Sequence, residues 1–286
     1  MFDADALINP PAASELIETL QSESSKDCIK RLVAHFSENR ELKYSLSSEP
    51  QRRLAAVLVL LYEHDGELRV LLTTRSKELR THAGQTALPG GKADAEDIDF
   101  VHTARREASE EVALPQDSPH IHVLGRLDPA VSLHRLIVVP IIAFLSKPEL
   151  LKSLKASEGE VAKIFSHPLE AILDPSISLK EPLSAIGSED WPYEDTQVYN
   201  TSDPIVEALG NTVYRMHRFR TSASPVKGLT ADILIKTAEI AYGKPTVYPR
   251  YAPKQLTDFG SIISTLDSIQ NKNIPIKGLA SHGAQS

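Results

Sequence analysis

The 286-residue chain holds a single cysteine, Cys28. One thiol excludes a disulfide framework and a zinc site built on cysteines, and it suits a reducing compartment. No apolar run approaches the roughly 18–20 residues that cross a bilayer, so no membrane-spanning helix is expected. Positive charge is also short, with 31 Lys and Arg against 38 Asp and Glu, a net of −7. Such a chain has no general attraction to nucleic acid or anionic lipid, and any anion it binds must meet a local basic cluster. Residues 1–24 carry Asp3, Asp5, Glu15 and Glu18 but no Lys or Arg, so neither a secretory signal nor an Arg-rich transit peptide is expected. The final Ala284-Gln285-Ser286 is not a peroxisomal address of the Ser-Lys-Leu type, which leaves the cytosol as the expected location. Hydrophobic residues at 41% and charged residues at 24% fit a soluble globular protein, not a disordered one.

Hydrophobic spacing divides the chain. Residues 1–49 read as a helical lead-in: Leu16, Ile17 and Leu20 form one helical pattern and Cys28, Ile29, Leu32, Val33 and Phe36 another, with Ser24-Ser25 between them. Cys28 is expected as a core or half-buried thiol. Two apolar runs, 54–62 and 68–74, flank His64-Asp65-Gly66-Glu67 and predict a buried β-hairpin. Pro89-Gly90-Gly91 breaks the chain before a helix predicted over 99–112. Strands are predicted over 121–127 and 134–145, and a mixture of loop and short helix over 158–173. Residues 174–210, rich in Pro, Ser, Asp and Gly, read as a long surface insertion. A strand over 213–220, a helix over 230–242 and an amphipathic helix carrying Leu256, Phe259, Ile262, Ile263 and Leu266 complete the pattern. This order of mixed strands with central helices predicts an α/β or α+β sandwich, not a regular βαβ array.

The most informative segment is the predicted helix after Gly91. Glu107, Glu110 and Glu111 stand at i, i+3 and i+4, on one side of a helix, where like charges repel. Phe100, Val101, Ala104, Ala108 and Val112 form its apolar stripe. At about 100° per residue, Glu111 lies about 50° from the stripe centre and Glu107 about 90°, while Glu110 points away. A solvated acidic face belongs opposite the stripe, yet two of these acids border it. Half-buried carboxylates with no cation beside them become neutral. A hard divalent cation such as Mg²⁺ or Mn²⁺ resolves the conflict, because it prefers oxygen ligands. Arg106 is placed to orient one carboxylate through a bidentate contact.

The string from Gly91 to Leu114 resembles the Nudix box: Gly, a Glu, then Arg-Glu-apolar-any-Glu-Glu-any-Gly-apolar. Gly91, Arg106, Glu107, Ala108, Glu110, Glu111 and Leu114 match. Asp97 takes the first Glu slot, near the helix start, where an Asp caps or meets the dipole. Ala113 replaces a Gly at the helix end, where Ala at φ > 0 is strained. The resemblance implies a Nudix α/β/α sandwich with a mixed sheet, set in residues 50–245, with helical extensions at 1–49 and 246–286. It implies Glu107, Glu110 and Glu111 as metal ligands, the Gly91 carbonyl as a further donor and Arg106 as the orienting residue. The implied reaction is metal-assisted hydrolysis of a nucleoside diphosphate joined to another group.

Arg75, Lys77, Arg80, His82 and Lys92 crowd the stretch leading into this helix, with Glu78 the one acid before Gly91. An exposed, locally positive loop is one reading. The segment is also similar to the signature of the coenzyme A diphosphatase branch of the Nudix enzymes: Leu71-Leu72-Thr73, Arg75-Ser76, Leu79-Arg80, His82, Gly84-Gln85 and Pro89-Gly90-Gly91, with Leu88 where that branch has Phe. Coenzyme A carries a diphosphate and a ribose 3′-phosphate, and Arg suits bidentate phosphate contacts. The resemblance therefore implies phosphate binding by Arg75, Arg80 and His82, and a hydrogen-bonding or structural role for Gln85. The implied partner is a small nucleotide of the coenzyme A class; neither a membrane nor nucleic acid in general is expected, and the residues carry no sign of oligomeric state. By the same family resemblance the peroxisome is a second location to weigh against the cytosol.

Glu160, in Ser157-Glu158-Gly159-Glu160-Val161, resembles the Glu that follows the Nudix strands and assists the metal or acts as base; a plain surface Glu is the competing reading. Gly228-Leu229-Thr230 resembles the start of the branch's C-terminal helix, with Lys227 where Trp is usual and Thr230 expected as its N-cap. His134, His217 and Trp191 are expected to be structural. Two rival functions stay open: a Nudix diphosphatase for an oxidised dNTP, a dinucleotide cofactor or an RNA cap, and a catalytically weak nucleotide-binding protein.

Overall fold

The computed structural model describes residues 1–132, 136–207 and 211–272. In chain order the elements are α1 (Ala13–Ile17), α2 (Glu23–Glu38), β1 (Leu54–His64), β2 (Glu67–Arg75), β3 (Thr86–Ala87), β4 (Gly90–Lys92), α3 (Phe100–Val112), β5 (Ile121–Arg126), β6 (Ala130–Val131), β7 (Ile137–Leu145) and β8 (Val161–Pro168). They continue with β9 (Tyr199–Ser202), β10 (Ile205–Val206), β11 (Thr212–Val213), β12 (Met216–Phe219), β13 (Val226–Lys227), α4 (Gly228–Tyr242) and α5 (Phe259–Lys272).

The central sheet runs β3-β2-β1-β7-β5, with β4 added to β1, β6 to β7 and β8 to β2. It is mixed, because β1 and β7 pair in parallel while the other pairings are antiparallel. β1 shows why its run is apolar throughout. Val59 and Leu61 face a core shared with Leu32 of α2 and Leu234 of α4, whereas Leu58 and Leu60 face Phe100, Ala104 and Ala108 of α3. A strand covered on both faces needs no polar alternation. The outcome is the predicted α/β/α sandwich with mixed sheet. The β1–β2 hairpin turns through Asp65 (φ 51°) and Gly66 (φ 77°), the pair of positive φ angles that a two-residue turn between twisted strands requires.

Several sequence expectations are corrected. The break in the lead-in falls at Gln21-Ser22, not at Ser24-Ser25: the Glu63 carboxylate of β1 accepts both amides, at 2.6 and 2.9 Å, and so fixes where α2 begins. Residues 158–173 contain β8, a full strand along β2; its alternation is broken by exposed Ala162 and Lys163, which hid it. Thr230 is not an N-cap, since α4 begins at Gly228 and Lys227 holds the cap position. The segment over 174–210 is not wholly superficial: Trp191 is fully buried, its indole N–H donating to the Thr196 carbonyl at 2.8 Å, and β9 pairs with β12. β7 is described from Ile137, and His134 lies outside the described residues. Among the described residues no helix is long and apolar enough to cross a membrane.

His217 is buried between the Tyr199 hydroxyl and the Arg250 carbonyl, each at 2.8 Å, as a structural residue would be. Cys28 sits in the core beneath α4, where burial pushes its thiol up to about 12 and leaves it inert.

Candidate active site

The stripe of Phe100, Ala104, Ala108 and Val112 presses α3 onto the sheet. That packing fixes the rotation of the helix and turns Glu111 inward, where it is only 7% exposed. The Gly90 N–H donates to Glu111 Oε2 at 3.1 Å, and the Arg75 Nη1 lies 3.7 Å from Oε1. Burial, reinforced by the charges of Glu107 and Glu160, outweighs these contacts and raises Glu111 to about 7. Glu107 is also raised, again chiefly by burial. Glu110 stays exposed, as its phase on the helix requires.

The double glycine brings β4 against these acids. A Cβ on Gly90 would lie 2.4 Å from the Ala56 carbonyl, and one on Gly91 would lie 2.4 Å from the Glu107 carboxyl carbon. No other residue fits either position without displacing β1 or the carboxylate.

Arg106 links the acids. Its Nη1 donates to Glu107 at 2.9 Å and to Glu110 at 3.2 Å, while Nε and Nη2 grip the two oxygens of Asp97, each at 2.9 Å. Asp97 has no exposed side chain, and it also accepts from the Asp94 amide, the Thr103 hydroxyl and the His102 ring, each at 2.8 Å. Burial alone would raise Asp97, but these donors, Arg106 foremost, hold it well below the usual carboxylate range. Asp97 is therefore not the helix cap that its position suggested. Asp99 caps α3, accepting the His102 amide, and Asp97 anchors Arg106. The sequence signal for this was His102 and Thr103 in the first turn of α3, two donors within reach of the loop that carries Asp97.

The far end of α3 closes on Ala113 in the left-handed region (φ 56°, ψ 33°), with its N–H on the Ser109 carbonyl. The Ser157 and Lys155 amides take the carbonyls of Glu111 and Val112 at 2.9 and 3.1 Å, which brings the loop bearing exposed Glu160 beside Glu111. The strain expected at Ala113 is thus present. Replacing Ala113 with Gly is expected to stabilise the protein by about 0.5–1 kcal/mol, the relief of left-handed strain less the added chain entropy. A lower melting temperature for this variant would show that the helix end carries no strain.

The basic segment divides. Arg75 reaches the carboxylates from the end of β2. The Arg75 N–H donates to the Gln85 carbonyl at 2.9 Å and the Gly84 N–H to the Arg75 carbonyl at 3.1 Å, so Gln85 closes the neck of the loop. Gln85 Oε1 is also 3.1 Å from His82 Nδ1. Arg80 and His82 stand exposed on that loop, and Lys77 is drawn away to Glu189 at 2.7 Å.

With Arg106 between Glu107 and Glu110, and Glu111 turned to Gly90, no three His, Cys, Asp or Glu side chains among the described residues are gathered at one point for a metal ion. The donor chemistry nevertheless fits a hard divalent cation. The buried Glu111 and the half-buried Glu107, both with raised proton affinity, and Glu110 at the rim are all oxygen donors, the Gly91 backbone lies against Glu107, and ionising the two inner acids calls for positive charge.

Comparison with known proteins agrees with this geometry. Residues 52–185 match the NUDIX domain. The chain is 35% identical over 213 residues to Nudix hydrolase 15, mitochondrial, of Arabidopsis thaliana, covering 73% of this chain and 67% of that protein. It is 31% identical over 252 residues to Nudix hydrolase 22, chloroplastic, of the same plant, covering 85% of this chain and 72% of that one. It is 37% identical over 175 residues to peroxisomal coenzyme A diphosphatase 1 of Saccharomyces cerevisiae, covering 52% of this chain and about half (51%) of the yeast protein. The chain belongs to the Nudix hydrolases. It is accordingly a hydrolase of pyrophosphate bonds, from a family that works with divalent metal ions.

Proposed function

We propose that this enzyme hydrolyses the diphosphate of coenzyme A or its derivatives, giving 3′,5′-ADP and a phosphopantetheine product. The observation that carries this reading is the junction of Arg75, at the head of the basic loop, with the buried Glu111 of α3. A polyanion lying there meets positive charge on one side and cation-binding oxygens on the other. The 37% identity to the yeast coenzyme A diphosphatase supports the choice of substrate.

Glu107, Glu110, Glu111 and the Gly91 carbonyl would hold Mg²⁺ or Mn²⁺. That cation supplies charge neutralisation for the diphosphate and a lowered pKa for a water. Asp97 fixes Arg106, which keeps Glu107 and Glu110 directed toward the site. Arg75 neutralises a phosphate oxygen, and Arg80 and His82 extend the positive surface along the loop. Gln85 holds the neck of that loop. Glu160, whose charge is felt by Glu111, takes the proton of the attacking water as a new oxygen–phosphorus bond forms and the bond from that phosphorus to the bridging anhydride oxygen breaks, the oxygen leaving on the departing phosphate. We place this catalytic domain at residues 50–245 and the protein in the cytosol, where its single buried thiol stays reduced.

The test is an assay of purified protein with coenzyme A and either metal, in competition with an oxidised dNTP, a dinucleotide cofactor and an RNA cap. Release of 3′,5′-ADP at the highest kcat/KM is expected. Folded protein that leaves coenzyme A intact, or that prefers a competitor, overturns the assignment.

A further inference from the structure

Arg218 and Lys227 face each other as register partners on β12 and β13. Like charges directly opposite on neighbouring strands repel, and a fold normally separates or neutralises them. Here neither side chain makes an ion pair among the described residues. Arg218 is steadied by neutral groups alone: its Nη1 donates to Asn200 Oδ1 at 3.3 Å and Ser202 Oγ at 3.0 Å, and its guanidinium lies 5.6 Å from the Tyr193 ring centre. Its Nε and Nη2 make no hydrogen bond among the described residues, so one edge of the fork is unused. Lys227 is half-buried, and burial first, then Arg218, lowers the proton affinity of its ammonium. It is also the N-cap residue of the 15-residue α4, whose N-terminal end has no side-chain cap.

The pair lies near the candidate active site. Ser224, just before β13, accepts the Thr86 hydroxyl of β3 at 2.6 Å and sits 2.8 Å from the Thr74 hydroxyl, next to Arg75. Val226 and Phe219 join Leu72 in the core beneath α4. Strand alternation therefore turns Lys227 and Arg218 away from that core within their own sheet, and Arg75 also leaves the core that holds Leu72, to meet Glu111. β13 belongs to a separate three-stranded sheet, yet it packs against β3, the strand that pairs with β2 beside Arg75. A nucleotide with phosphates at both ends of its ribose presents two anionic groups to two such neighbouring basic positions.

We infer that Arg218 and Lys227 form a second anion subsite, which takes a phosphomonoester on the substrate's ribose while the diphosphate lies at Arg75 and the carboxylates. This deepens the coenzyme A reading and rests on it, since that substrate carries such a 3′-phosphate. The two cations are specificity-determining residues: they separate a 3′-phosphorylated nucleotide from one without that group.

The test is calorimetric binding of adenosine 3′,5′-bisphosphate and of 5′-AMP to the full chain in Mg²⁺, which needs no turnover. The wild-type protein is expected to bind the bisphosphate at least about tenfold more tightly. Lys227→Gln and Arg218→Gln should each cut that preference at least about threefold, and Lys227→Arg should keep it. No wild-type preference, no measurable bisphosphate binding, or a preference unchanged in both Gln variants overturns the subsite. Failure to hydrolyse coenzyme A is a separate result, which overturns the substrate assignment while this binding ratio still decides the subsite.

Discussion

Replacing Glu111 with Gln is expected to remove turnover, by about 10³-fold or more, and at the same time to make the metal-free protein more stable above pH 7. The first effect follows from loss of a charged oxygen among the proposed cation ligands, a site that supplies several kcal/mol of transition-state stabilisation. The second follows from burial. Glu111 is raised from 4.5 to about 7 in the folded protein, so between those values the folded state binds more protons than the unfolded chain. Stability therefore falls as pH rises through that window, and above it the buried negative charge costs about 3 kcal/mol. Gln keeps the length of the side chain and an oxygen for the Gly90 N–H, but it has nothing to ionise. Melting in the presence of a chelator should show the variant well above wild type at pH 8, with the two converging near pH 4. A variant that melts below wild type at pH 8 would refute the burial argument. Unaltered turnover would remove Glu111 from the site.

That trade-off was partly legible in the sequence, because helical phase alone places Glu111 near the apolar stripe of α3 and Glu110 away from it. The hairpin of β1 and β2 and the helix α3 were legible for a similar reason: their apolar periods are long, and Asp65-Gly66 and Asp99 mark their ends by local chemistry. β8 was not, because a strand held by its partner β2 needs no strict alternation of its own. The burial of Trp191 depends on a segment folding back over itself, which no local pattern reports. Arg75 could be read as one of five basic groups, but its selection over Lys77 is a tertiary fact, set by where β2 ends and by Glu189 lying across the loop. The like-charged pair of Arg218 and Lys227 was invisible for the same reason, since the two are nine positions apart and only the register joins them.

Asp97 shows the opposite balance from Glu111, and its replacement by Asn should reveal it. Five donors converge on a carboxylate with no exposed surface, two of them from Arg106. Asn offers one acceptor oxygen and turns an NH₂ toward the guanidinium, so Arg106 loses the charged half of its fork. Removing one partner of a buried ion pair costs about 3–5 kcal/mol, and because Arg106 is itself 20% exposed the lower end applies, about 3 kcal/mol. For a chain of this size that is a fall in melting temperature of roughly 5–10 °C. The sign with pH is fixed by the depressed proton affinity of Asp97. Its stabilisation is fully present above 3.8, its value outside the fold, and fades as pH drops below that toward the folded-state value. The gap between wild type and Asp97→Asn should thus be constant from pH 5 to 8 and narrow below about pH 3.8. Turnover should fall about 10–100-fold, since Arg106 is then free to leave Glu107 and Glu110, and outer groups that orient ligands have effects of that size. A variant that melts with wild type but loses activity would mean that Asp97 touches substrate directly. One that melts lower with full activity would mean that Arg106 supports only the fold.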